Sequence, residues 1–245
     1  MISREELTRV AKNTGLNLYQ QEKEYLLKLF LYNYYDKFDS AIFKGGTALR
    51  FVYGLDRFSE DLDFNISDPE QFQKEVREVL KSIVRLGIES YFIKEELFEE
   101  SYTCEIGFHG PLHEGSGQTR NKFRIDAGYR EKMARKPVWR LISSEYPETR
   151  SKYLVLLMDA EEMLCEKIRA LFTRRKGRDL YDVWFMLNSE INIDGELLAQ
   201  KIEGGRLRAE EMVSAEEYER DMKHLVTRLV PYSQVREEVL AGIRS

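Results

Sequence analysis

The sequence predicts an α+β chain in which a mixed sheet flanked by helices is followed by a helical region. Apolar residues recur at helical spacing within 5–38 and 69–86. Short apolar or alternating runs fall within 41–158, punctuated by Gly and Pro. From residue 159 the period is helical to residue 244, which sets a boundary near 158 between domains of 1–158 and 159–245.

In chain order, Leu7, Val10 and Ala11, then Tyr25, Leu26, Leu29, Phe30 and Tyr34, predict two helices within 5–38. Ala41-Ile42-Phe43 reads as a short strand stopped by Gly45-Gly46, and a helix over 47–53 opens from that turn and ends at Gly54. Residues 58–66 alternate as a strand, and 69–86 return to a helical pattern. Tyr102, Cys104, Ile106 and Phe108 alternate with polar residues, as do Phe123, Ile125 and Ala127, which predicts a hairpin. Its loop carries the turn residues Gly110, Pro111, Gly115 and Gly117. Residues 153–158 form a last buried strand, and Asp159 with Glu162 predicts a capping box for a helix starting at Ala160.

Hydrophobic residues make up 42% of the 245 and charged residues 33%, enough apolar side chains to exclude a disordered chain. No apolar run approaches the ~20 residues of a membrane span, and Met1-Ile2-Ser3-Arg4-Glu5-Glu6 lacks the apolar core of a signal peptide. Cys104 and Cys165 are too few for a disulfide scaffold and read as reduced core residues. These features place the chain in the cytoplasm, away from membranes. The net charge of −5 does not advertise nucleic-acid binding, but the charges are segregated. Arg120, Lys122, Arg124, Arg130, Lys132, Arg135, Lys136 and Arg140 face only Asp126 and Glu131 in their stretch, and Arg174-Arg175-Lys176-Gly177-Arg178 follows downstream. Such runs are a polyanion surface or ordinary solvated surface.

The densest chemistry lies in Phe43-Lys44-Gly45-Gly46-Thr47-Ala48-Leu49 and Arg57-Phe58-Ser59-Glu60-Asp61-Leu62-Asp63-Phe64. A strand that ends in two glycines and a hydroxyl before a helix offers backbone N–H groups to an anion. The spacing of a P-loop is absent, and a Gly-Gly pair alone reads equally as a tight turn. On a strand, Asp61 and Asp63 project to one face while Leu62 and Phe64 enter the core. Two adjacent carboxylates repel unless a cation sits between them, and hard oxygen ligands suit Mg²⁺ carrying nucleotide phosphates.

Gly45-Gly46-Thr47 followed by Asp61-x-Asp63 resembles the first motif of DNA polymerase β-type nucleotidyltransferases. The wording Phe-Lys-Gly-Gly-Thr-Ala-Leu…Arg-Phe-Ser-Glu-Asp-Leu-Asp-Phe resembles the AbiEii/MenT group, toxin halves of type IV-like toxin–antitoxin and phage-defence systems. Glu166-Lys167-Ile168-Arg169-Ala170-Leu171 and Arg178-Asp179-Leu180-Tyr181-Asp182 extend the resemblance to about residue 185. It implies a polymerase β-like core over 1–158, with 159–245 completing the active site. It also implies Mg²⁺ on Asp61 and Asp63, and an NTP held by Lys44, Gly45, Gly46, Thr47 and Lys167. Lys167 and Asp179 become active-site residues. The acceptor is then RNA, with tRNA a candidate, and a cognate antitoxin is encoded nearby. Transfer to a protein side chain and a non-catalytic nucleotide- or partner-binding module on the same fold are the alternatives.

Further residues carry their own weighings. Lys167 falls inside the apolar arc of Ala160, Met163, Leu164, Ile168 and Leu171, so it needs an anionic partner or must snorkel out. Asp179 and Asp182 share a face of a largely apolar helix, and Asp182 serves either beside the nucleotide or in a structural ion pair. The resemblance to polymerase β-type enzymes implies a third carboxylate from a neighbouring strand that helps activate the acceptor hydroxyl, a place that Asp126 fits; the alternative is a salt bridge with Arg124 or Arg130. Arg130, Lys132, Arg135, Lys136, Arg174 and Arg175 are the candidate RNA contacts. His109 and His113 lack the partners of a zinc site, and Trp139 and Trp184 read as packing residues, Trp139 with base stacking as an alternative.

Overall fold

Helix starts in this chain are written in short polar residues. Ser3 caps α1 (Arg4–Thr14) and Asn17 caps α2 (Leu18–Tyr35), each in a reciprocal box with the third helical residue, Glu6 or Gln20. Asp68 caps α4 (Pro69–Arg85), where Pro69 occupies a first-turn position that needs no N–H. The computed structural model describes residues 1–129, 133–202 and 212–244. The chain folds as two units: Met1–Gly54, Ser59–Lys132 and Pro137–Leu157 make the first, and Leu55–Phe58, Met133–Lys136 and Met158–Ser245 the second.

The first unit is built on a seven-stranded sheet: β1 (Ile42–Lys44), β2 (Leu62–Asn65), β3 (Ser90–Leu97), β4 (Ser101–Phe108), β5 (Asn121–Gly128), β6 (Val138–Ser143) and β7 (Lys152–Leu157). Their order is β3-β4-β5-β2-β1-β7-β6. The pairs β1–β7 and β2–β5 are parallel and the others antiparallel, so the sheet is mixed, as expected. The α+β class is therefore the class of the structure.

The predicted strand over 58–66 shrinks to Leu62–Asn65, because residues 58–61 turn into the sheet instead of pairing along it. Both edge strands, β3 and β6, escape the sequence reading. Edge strands carry charge and exposed side chains that blur alternation: Lys94, Glu95 and Glu96 on β3, Arg140 on β6.

Behind β2 lies an aromatic core. Phe64 packs against Phe43 at 5.6 Å, Phe72 at 5.4 Å and Tyr34 at 5.9 Å between ring centroids. Burial of side chains this size stabilises by roughly 1.5–3 kcal/mol each. It also fixes the register of β2: with Leu62 and Phe64 held inside, Asp63 must face the other way.

The second unit is helical: α5 (Ala160–Arg174), α6 (Gly177–Asn188), α7 (Gly195–Lys201), α8 (Ala215–Met222) and α9 (Tyr232–Arg244). Asp159 caps α5 by accepting from the N–H groups of Glu161 and Glu162. The expected capping box is not completed, because the Glu162 carboxylate instead accepts from the backbone N–H groups of Ala134 and Arg135. Cys104 and Cys165 are free and buried, and burial pushes their thiols up to about 12 and about 11, as suits unreactive core residues. No helix among the described residues is long and apolar enough to cross a membrane.

Candidate active site

β1 ends at Lys44, and the chain turns at once into a short helix, α3 (Gly45–Ala48), continued by a wider turn over Leu49–Tyr53 that Gly54 closes. The helix thus opens two residues earlier than the sequence suggests. Gly45 allows this by taking φ +83°, where a side chain is strained. Space demands it as well. A Cβ on Gly45 would lie 2.2 Å from Asp63 Oδ2 and 2.9 Å from Asp63 Cβ. The missing side chain makes the room that the Asp63 carboxylate occupies.

Thr47, fully buried, donates from Oγ1 to the Asp61 carbonyl at 2.5 Å, and Oγ1 lies 2.9 Å from Ser59 Oγ. Its only proton is engaged in fixing the turn that precedes β2, so the hydroxyl positions Asp61. Asp61 stands just before β2 and Asp63 within it. Lys44 lies opposite Asp63 on β1, and Asp126 lies opposite Asp63 on β5. As alternation predicts, Asp126 shares a face with Arg124 while Phe123, Ile125 and Ala127 are buried, and Arg124 Nη2 meets Asp126 Oδ1 at 2.8 Å.

The electrostatics of this cluster are those of crowded carboxylates. Burial, reinforced by Glu60, Asp63 and Asp126 and opposed by Lys23, pushes the Asp61 carboxyl up to about 6. Lys23 is itself nearly buried and pairs with Glu60 at 2.6 Å. Because the folded chain holds the Asp61 proton more tightly than the unfolded chain, stability contributed by this group falls as pH rises from about 4 to about 6. Asp61→Asn is therefore expected to raise thermal stability at pH 7, on the order of 1 kcal/mol, with the gain vanishing below about pH 4. Thermal melts of both proteins at pH 4, 5.5 and 7 check this; equal melting temperatures throughout would contradict the crowding.

The second unit holds a different cluster. On α6, Asp179 and Asp182 share a face, as their spacing predicts, and Lys167 on α5 reaches both: Nζ lies 2.6 Å from Asp182 Oδ2 and 3.7 Å from Asp179 Oδ1. Arg57 grips Asp182 with a fork, Nε to Oδ1 at 2.5 Å and Nη2 to Oδ2 at 2.7 Å. Despite complete burial, Arg57 and Lys167 hold the Asp182 carboxyl below its ordinary range. Both oxygens of Asp182 are engaged by cations, which favours its ion-pair reading over nucleotide contact. Asp179 is 2% exposed, and its Oδ2 has no hydrogen-bond partner among the described residues. Sequence reasoning passed over Arg57, although it is the single cation in the run 55–64.

Among the described candidates for RNA contact, Arg135 is the one tied to acidic partners. Its guanidinium lies 2.7 Å from Glu161, 2.7 Å from Asp194 and 3.8 Å from Asp159, a brace within the helical unit instead of an open cation. Lys136, Arg174 and Arg175 are exposed, with Arg175 at φ 52° in the turn between α5 and α6. Arg130 and Lys132 lie outside the described residues. His109 and His113 stack on each other at 3.9 Å, and Trp139 packs edge-on against Tyr35.

A family model described as nucleotidyl transferase AbiEii toxin, type IV toxin–antitoxin system, matches residues 29–238, most of the chain. The chain belongs to this family. As an AbiEii-family protein it is a nucleotidyltransferase and the toxin half of a toxin–antitoxin pair, with an antitoxin as its counterpart. Among solved structures it is similar in fold to the nucleotidyltransferase toxin MenT4 of Mycobacterium tuberculosis, with TM-score 0.70 and 21% identity over 98% of this chain and 87% of that one. JHP933 from Helicobacter pylori is similar too, with TM-score 0.62 and 19% identity over 92% and 90% of the two chains. No curated protein matches the sequence significantly.

Proposed function

We propose that this AbiEii-family chain transfers a nucleoside monophosphate from an NTP to a hydroxyl of RNA, with tRNA a candidate acceptor, and that Mg²⁺ is required. The observation that carries this reading is the turn in which Thr47 holds Asp61 and Gly45 leaves room for Asp63. Among the described residues no group of three or more His, Cys, Asp and Glu is gathered as a metal centre. Two carboxylates are nonetheless what Mg²⁺ usually takes from protein, since phosphate oxygens and water fill its other positions. The crowding that keeps the Asp61 carboxyl high is the strain a cation relieves, so the donor set fits.

In this mechanism Asp61 and Asp63 hold Mg²⁺, which when bound neutralises phosphate charge and polarises the reacting phosphoryl group. The backbone at Gly45 and Gly46, with Lys44 beside it, receives the triphosphate. On the strength of the family resemblance Lys167 is proposed to bring positive charge to the triphosphate, and Asp179 helps to hold Lys167. The acceptor hydroxyl gives its proton to Asp126 as its oxygen bonds to the α-phosphorus; the bond to the bridging oxygen breaks and pyrophosphate leaves. Asp126 must first exchange Arg124 for that hydroxyl. Lys136, Arg174 and Arg175, with Arg130 and Lys132, are proposed to meet RNA phosphates, so labelling should weaken with salt. The reading includes a cytoplasmic setting, drawn from the composition and the few cysteines, and, on the strength of the family resemblance, an antitoxin encoded nearby and a part in phage defence.

The test incubates purified protein with each labelled NTP, Mg²⁺ and total RNA. Label is expected in RNA, in one or few species, and lost when EDTA is added. Label confined to protein would replace RNA by a protein side chain as acceptor. No label with any NTP would leave a binding module.

A further inference from the structure

Four charges, three of them buried, lie together in the helical unit. Arg57 is 4% exposed at its side chain, Asp182 0%, Lys167 14% and Asp179 2%. Their formal charges cancel, but the contacts are unequal. Arg57 covers both oxygens of Asp182 with a planar fork, whereas Lys167 shares one of those oxygens and stands 3.7 Å from Asp179. Lys167 is also the most exposed member of the set. The segment that carries Arg57 is anchored within the same unit by two further bonds. The Tyr181 hydroxyl donates to Asp56 Oδ1 at 2.8 Å, and the Phe58 N–H donates to the Leu225 carbonyl at 2.6 Å. Arg57 is therefore held in place through its neighbours Asp56 and Phe58 as well as by Asp182.

We infer that Arg57 is a positioning residue for Lys167: by neutralising Asp182 from behind, it leaves the ammonium loosely shared and able to turn to an anionic phosphate. Without Arg57, two buried carboxylates compete for one lysine. A charge-assisted contact to either is strong in a buried setting, so Lys167 would be pinned between them. The inference rests on the reading above that Lys167 meets the triphosphate. It adds the reason that Lys167 can do so while sitting 2.6 Å from a carboxylate.

A double-mutant cycle on the full chain tests this. ATP, GTP, CTP and UTP, each with Mg²⁺, are titrated by calorimetry against wild type, Arg57→Met, Asp182→Asn, the double variant and Lys167→Met. Near-ultraviolet circular dichroism and a cooperative melt establish folding. Arg57→Met is expected to weaken NTP binding about tenfold, the scale of one charge-assisted contact. With Asp182 already uncharged, removing Arg57 should change affinity less than about threefold, because the carboxylate that it neutralises is gone. That comparison stands even where Arg57→Met alone fails to fold. A tenfold loss between Asp182→Asn and the double variant would overturn the inference, as would a folded Arg57→Met protein that binds NTP like wild type. Lys167→Met separates the two levels: wild-type affinity in that variant sinks the role of Lys167 itself, whatever Arg57 does.

Discussion

Asp63→Ala should reduce nucleotidyl transfer about a hundredfold to a thousandfold while leaving the fold intact. Asp63 lies on β2 with Leu62 and Phe64 fixed in the core on either side, so its own side chain contributes nothing to that packing. Its removal deletes one of the two carboxylates proposed to hold Mg²⁺, and loss of one preorganised electrostatic group commonly costs about 10²–10³ in rate. The fold should tolerate the change because Asp63 is among the carboxylates that crowd Asp61. Relieving like-charge repulsion is expected to raise stability slightly. The measurement pairs initial rates of label transfer with a thermal melt. A folded Asp63→Ala protein that transfers at more than a tenth of the wild-type rate would remove Asp63 from the chemistry.

Gly45→Ala should lose transfer about a hundredfold, although no functional group is removed. Alanine at φ +83° costs roughly 1–2 kcal/mol for backbone reasons alone. The added methyl also collides with the Asp63 carboxylate, at 2.2 Å from Oδ2, and Asp63 must swing away. Displacing a catalytic group by about 1 Å can cost 10²-fold. Gly54→Ala is the matching control: Gly54 has φ +78°, and a Cβ there meets nothing within 4 Å. Both variants should melt lower, Gly45→Ala by at least as much as Gly54→Ala, but only Gly45→Ala should lose turnover. Equal loss of activity in the two would show that backbone strain, not the clash with Asp63, is responsible.

Much of this was legible in the amino-acid sequence, for local reasons. Asp159 reads as a cap because it precedes an apolar-periodic run, and it starts α5 here. Alternation across 123–127 set Asp126 and Arg124 on one face, because side chains of a strand alternate irrespective of their partners. The runs Phe43-Lys44-Gly45-Gly46-Thr47-Ala48-Leu49 and Arg57-Phe58-Ser59-Glu60-Asp61-Leu62-Asp63-Phe64 were enough to point to the family, since such a motif is carried by residue types at fixed short spacings.

Tertiary structure alone decided the rest. The edge strands β3 and β6 are strands because a neighbour pairs with them, and their charged sequences do not announce it. That Thr47 serves the Asp61 carbonyl, or that Arg135 braces three acids, depends on which groups lie within about 3–4 Å after folding. Arg57 and Asp182 stand far apart in sequence, and no periodicity joins them. Sequence determined which residues had to be buried, turned or capped, because those demands act over a few neighbours. It could not determine which buried charge would neutralise which, because burial makes every such charge need a partner and only the packed chain supplies one.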